Sequence, residues 1–178
     1  WDYWLKGIDT GIMNEPVLRV WMQDTIEPLS YIPERPGRWI AENDWPAPSI
    51  ETKTYFLKAD SLDPDVGIEN CMHIKSPQIT GMEAGPWGSY GNPGGFPGDQ
   101  RADDGRSLSF TSTPLLQPME ILGFPEVILE FSVDQPTALV SVRLCDVSPS
   151  GSSLLVTRVL LNLTHRESHE NPNALEPG

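Results

Sequence analysis

From residue 107 onward the chain is a series of short runs of strand-forming residues, broken by Pro, Gly and Asp, with no helical period between them. No other feature restricts the fold as strongly. The runs cover residues 107–110, 119–122, 126–133, 138–144 and 155–163. In the third of them Val127, Leu129, Phe131 and Val133 alternate with Glu126, Glu130 and Ser132, with Ile128 as the exception. A strand there presents one apolar and one mixed face. A parallel α/β fold would need a crossover helix after each strand, and the sequence supplies none. The expected class is therefore all-β, in the form of a β-sandwich.

The remainder of the chain fits the same class. Trp1, Trp4, Leu5 and Ile8 recur at i, i+3, i+4 and i+7, the spacing of one helical face, and Gly7 and Gly11 stop the helix early. A short N-terminal helix is expected. The run from Val17 to Met22 reads as a strand. Pro28, Pro33, Pro36, Pro46 and Pro48 then forbid a helix or a central strand, leaving Arg38-Trp39-Ile40 as a very short strand. Lys53-Thr54-Tyr55-Phe56-Leu57 is a further strand, with Asp60-Ser61-Leu62 as the turn after it. Between about residues 63 and 106 periodicity is lost among Gly81, Gly85, Gly88, Gly91, Gly94, Gly95, Gly98 and Gly105. An aperiodic stretch this long inside a domain is either a mobile segment or a functional loop.

Charge narrows the partners. The chain carries 25 acidic and 12 basic residues, a formal net charge of -13, and each third of it is net acidic. Binding to a nucleic-acid backbone needs clustered Lys and Arg, so that class is excluded, as is attraction to an anionic membrane surface. No apolar run approaches the ~20 residues of a membrane-spanning helix. At 178 residues, 38% of them apolar, the chain is expected to fold as one domain. Cys71 and Cys145 are not spaced as a redox or zinc pair and are expected to be two separate buried thiols. The expected compartment is the cytoplasm. The start at Trp1, without Met or signal peptide, is expected to mark an excised piece of a longer polypeptide.

The candidate chemical motifs are weak. Gly88-Ser89-Tyr90-Gly91 has the wrong spacing for a nucleophile elbow and no strand before it, so Ser89 reads as a loop serine and no catalytic residue is assigned. His165 and His169 stand four apart with Glu167 between them, but lack a third ligand motif and a helical pattern. They read as a polar edge or domain-contact segment, with no metal assigned. His73 is isolated. The acids Asp60, Asp63, Asp65 and Glu69, and the set Asp99, Asp103 and Asp104, lack the ligand order of an EF-hand and read as solvated turn residues. Trp87, Tyr90 and Phe96 lie in the Gly-rich segment, as a candidate pocket rim or ligand contact or as tethers of the loop.

The order of these residues also resembles a known family. Trp1-Asp2-Tyr3-Trp4-Leu5-Lys6-Gly7-Ile8-Asp9-Thr10-Gly11-Ile12, the strand after Pro16, Trp39, Asp44-Trp45-Pro46 and Tyr55-Phe56-Leu57 resemble the start of the C-terminal domain in X-Pro dipeptidyl-peptidase and cocaine-esterase-like serine hydrolases. Gly98-Asp99-Gln100-Arg101-Ala102-Asp103-Asp104, Gly123-Phe124-Pro125, Val142-Arg143-Leu144-Cys145-Asp146-Val147 and Leu163-Thr164-His165-Arg166 extend the likeness to nearly the whole chain. The resemblance implies a jelly-roll sandwich of the galactose-binding-like class. Residues 1–14 would end the connection from an α/β-hydrolase domain, and residues 15–178 would form the sandwich. The catalytic serine, aspartate and histidine would lie in the hydrolase domain, so the chain alone is expected to be inactive and to need no cofactor. Its implied partner is the hydrolase domain of the same parent chain, met through Trp1, Trp4 and Leu5, with a homo-oligomer of the parent as a further candidate. The rival reading is an independent carbohydrate-binding module, using Trp87 and Tyr90 with calcium at Asp99, Asp103 or Asp104.

Overall fold

The computed structural model describes residues 1–68, 70–86 and 94–178. Its strands form three separate two-stranded antiparallel sheets, and among the described residues these are not joined into a closed sandwich. The chain divides into two compact units. One comprises Trp1–Asp24, Glu34–Met72 and Phe110–Leu122, the other Thr25–Pro33, His73–Ser109 and Gly123–Gly178.

The first unit opens with α1, Asp2–Lys6. Gly7 ends it as the Trp/Gly pattern requires, taking φ 65° so that its N–H donates to the Tyr3 carbonyl at 3.1 Å, while the Ile8 N–H reaches the Asp2 carbonyl at 3.1 Å. β1, Leu18–Gln23, pairs with β2, Gly37–Glu42, which places Trp21 opposite Trp39. Their rings meet edge to face at 5.5 Å, a cross-strand aromatic pair that stabilises a two-stranded ribbon. β3, Phe56–Lys58, pairs with β4, Ser61–Asp63, so the strand begins later than expected and the expected turn continues directly into a second strand. Asp60 makes the hairpin possible by adopting φ 59°, a left-handed conformation that Asp tolerates better than most residues.

The second unit is built on β5, Leu139–Val147, and β6, Ser153–Asn162. This long hairpin has a register shift between Leu144 and Cys145 and is closed by Gly151 at φ 87°, with the Ser148 N–H donating to the Ser152 carbonyl at 2.9 Å. Between the sheets of sequence that were expected to be irregular lies α2, Arg101–Asp104. Residues 107–110, 119–122 and 126–133 form no strand, although Ser61 and Thr111 make one isolated bridge. β-branched composition supplies suitability for a ladder, but a strand exists only where a second strand meets it. Ile128 is 88% exposed against 40% for Val127 and Leu129, so a trace of the alternation survives without the ladder. Cys71 is exposed and Cys145 half-buried, which corrects the expectation of two buried thiols. Burial pushes the Cys145 thiol up from its ordinary value.

Candidate functional site

Two features are candidates, one in each unit. In the first, Trp1, which precedes α1, and Trp4 and Leu5 within it are 88%, 64% and 72% exposed. A single turn of helix has too little surface to cover its own indoles. An Asp2–Lys6 ion pair at 2.7 Å spans the polar side, Tyr3 and Trp4 meet edge to face at 5.3 Å, and an open depression lies among Tyr3, Trp4, Gly7, Asp9, Met13 and Asn14. Rigid aromatics kept in water on a pinned turn cost free energy until something covers them, at about 25 cal/mol per Å² of apolar surface. This is an apolar contact face without chemistry.

The second candidate is the base of the Gly-rich segment. Trp87 and Tyr90 of the predicted aromatic set, together with Ser89 and Glu69, lie outside the described residues. Phe96 is half-buried, and its N–H donates to the Ser30 carbonyl at 3.2 Å. The described flanks of the segment are held by a polar clamp. Gln100, wholly buried, donates through Nε2 to the carbonyls of Glu83 at 2.7 Å and Gly98 at 2.8 Å, and accepts through Oε1 from Arg143 at 3.0 Å. Arg143 also pairs with Asp104 at 2.8 Å. Asp103, equally buried, accepts the Glu83 N–H at 3.0 Å through Oδ2 and faces Arg106 at 3.5 Å through Oδ1. Arg158 donates to the carbonyls of Ala84, Gly85 and, at 2.9 Å, Pro86.

The strand register explains why these groups converge. Arg143 and Arg158 are direct partners across β5 and β6, so both side chains leave the same face of the hairpin. Two like charges in that position repel unless each is met. Asp104 and Gln100 meet the first, and three consecutive carbonyls meet the second. Gly85 fits only as glycine, because φ is 68° and a Cβ would lie 3.2 Å from the Pro97 backbone. The clamp went unseen in the sequence, where Asp99, Asp103 and Asp104 read as solvated. Their only sequence signal was a cluster of charge in an aperiodic stretch.

Asp99 completes the arrangement. It accepts from the Arg101 side chain at 2.8 Å and from the Ser153 N–H at 3.1 Å, and Arg101 beside it holds its carboxyl below the usual range. Asp99, Asp103 and Asp104 are thus already engaged with arginines and amides. Glu120 is likewise held low by Arg38, and Asp63 by the Asp65 amide and Lys58. A carboxyl with a depressed folded value stabilises the folded state above its unfolded value of about 4, and that stabilisation is lost as pH falls through the folded value. The urea midpoint is therefore expected to hold from pH 7 to 5 and to fall below about pH 4, with a shallower fall in Asp99→Asn. A midpoint equal at pH 5 and pH 3 would contradict this.

Comparison with known proteins places these features in context. Residues 10–178 match the model of a family described as the X-Pro dipeptidyl-peptidase C-terminal non-catalytic domain. A Mycobacterium tuberculosis protein named "Putative serine esterase" is 31% identical over 180 residues, covering 96% of this chain and 26% of that protein. A Bacillus anthracis protein named "Putative Xaa-Pro dipeptidyl-peptidase" is 26% identical over 188 residues, covering 99% of this chain and 26% of that protein. The chain thus spans about a quarter of the length of the curated relatives it matches. No solved structure matches it.

Proposed function

Since the chain belongs to the family of X-Pro dipeptidyl-peptidase C-terminal non-catalytic domains, we propose that it packs on an α/β-hydrolase-type serine hydrolase domain and shapes access to that domain's substrate entrance. The family match over residues 10–178 carries this reading. The proposed contact is α1, where Trp1, Trp4 and Leu5 stand in water. In this reading the three small sheets are parts of a galactose-binding-like jelly roll, and residues 1–14 connect it to the hydrolase domain. The residues proposed as a pocket rim or ligand contact are Trp87, Tyr90 and Phe96. The fixed flanks of the Gly-rich segment support that role, because a rim must be held to shape a passage.

The parent reaction is then acyl transfer to water, in which a serine attacks an ester, amide or X-Pro peptide carbonyl, a histidine carries the proton and backbone N–H groups hold the oxyanion. All of those groups belong to the hydrolase domain. The compartment proposed is the cytoplasm. Among the described residues no helix is long and apolar enough to cross a membrane. A broad serine-hydrolase phosphonate, read by intact mass, tests the assignment. The full parent should take up one equivalent and the isolated chain none. Stoichiometric labelling of the chain would place a complete active site here and overturn the accessory role.

A further inference from the structure

We propose that Arg35, whose backbone is held by the Trp21–Trp39 pair, is a second anchor on the hydrolase domain and takes an aspartate or glutamate side chain of that domain. The inference rests on the accessory-domain reading above and adds the chemistry of one contact. It starts from charge. Among the described residues six of the other seven arginines pair with a carboxylate, and Arg158 binds three carbonyls. The Arg35 guanidinium has neither kind of partner, in a chain with 25 acidic and 12 basic residues. Acid is plentiful, yet folding brings none to this side chain.

Water does not replace the missing partner in full. Arg35 is half-buried, and its Nε is cut off from solvent with no acceptor. Burial without a compensating anion pulls the guanidinium below its ordinary value, though it keeps its charge. The two Nη groups remain accessible, so the outer end of the fork can take both oxygens of one carboxylate. The backbone here is fixed as well. Trp21 Nε1 donates to the Arg35 carbonyl at 3.3 Å, and the Asp24 N–H donates to the Pro36 carbonyl at 2.9 Å. The Trp21 indole lies against Gly37, where a Cβ would fall 2.8 Å from that same Nε1. Across the ribbon Trp39 stays 69% exposed, against 38% for Trp21. An exposed indole and a partly desolvated arginine on one short ribbon are the residue types of an interface hot spot, and an arginine whose stem is already held loses little freedom on binding.

The unanswered charge also identifies the occupant. Its carboxylate comes from outside the chain, and a second copy would set another net charge of -13 against the first. The match covers only 26% of each relative, so the larger part of such a polypeptide lies outside it and can supply the acid.

Zero-length carbodiimide coupling in the full parent tests the anchor. The Arg35→Lys variant keeps the charge and provides the amine that the reaction needs. Peptide mapping should find position 35 joined by an amide to an Asp or Glu of the hydrolase domain. No linkage at that position, or linkage only to a carboxylate of residues 1–178 or of a second, isotope-labelled copy, would overturn the proposal. A longer cross-linker on Lys6 of α1 reports the packing itself. Linkage of Lys6 to the hydrolase domain with position 35 silent would remove this anchor alone, whereas silence at both would remove the accessory reading with it. Melting curves of the isolated chain give an independent readout. Arg35→Met removes an uncompensated, partly buried charge and should not lower the melting temperature. A fall of about 5 °C or more would show that Arg35 is used within the chain and would also overturn the proposal.

Discussion

Replacement of Arg143 by methionine is expected to lower the stability of the chain by about 2–3 kcal/mol, as a buried partner is removed from a charge and an amide that stay behind. The guanidinium side chain is 11% exposed and serves Asp104 at 2.8 Å and the wholly buried Gln100 at 3.0 Å. Methionine keeps most of the packing but leaves Gln100 Oε1 with no donor. For a chain of this size that loss corresponds to a melting temperature lower by roughly 5–10 °C. Lys6→Ala is the control, since its ion pair to Asp2 is exposed on both sides and should be worth no more than about 0.5 kcal/mol. The Asp104→Asn and Arg143→Met changes should also combine to less than the sum of their separate effects, because they share one interaction. Equal melting temperatures for Arg143→Met and Lys6→Ala would mean that the clamp contributes nothing to folding.

Replacing Trp1 and Trp4 together by serine should have the opposite profile. Both indoles are largely exposed, so the melting temperature should change by less than about 3 °C, within the range of surface substitutions. Solubility should rise as an apolar patch disappears. Association with the separately produced hydrolase portion of the parent should weaken, by about 2–4 kcal/mol for each indole that is an anchor of the interface, or thirtyfold to a thousandfold in affinity. Calorimetry with the two pieces measures this directly. A large loss of melting temperature would instead place the tryptophans in the chain's own core. An unchanged affinity would remove α1 from the interface.

The two outcomes separate stability from association, and they do so in different units of the chain. Arg143 belongs with Gln100 and Asp104 in the unit built on β5 and β6, whereas Trp1 and Trp4 belong to the unit that holds β1 to β4. The first set stabilises by satisfying polar groups that folding has removed from water. The second costs free energy while exposed and returns it only on contact.

The sequence by itself determined what depends on neighbours along the chain. The i, i+3, i+4 spacing of Trp1, Trp4 and Leu5 and the glycine after them define α1 and its end, and the runs of strand-forming residues around Val142 and Val159 define β5 and β6. Scattered strand and turn residues were also enough to identify the family, because such a pattern survives where no single motif is diagnostic. Tertiary structure alone decided the rest. Asp103 read as a solvated turn residue, and Gln100 carried no reading of its own, whereas in the structure both are wholly buried beside the hairpin whose cross-strand pairing sets Arg143 against Arg158. Residues 126–133 have strand composition, yet a ladder depends on a second strand that composition does not name. Local periodicity is written in the order of residues; the distances that make the clamp are set by contacts between segments far apart in that order.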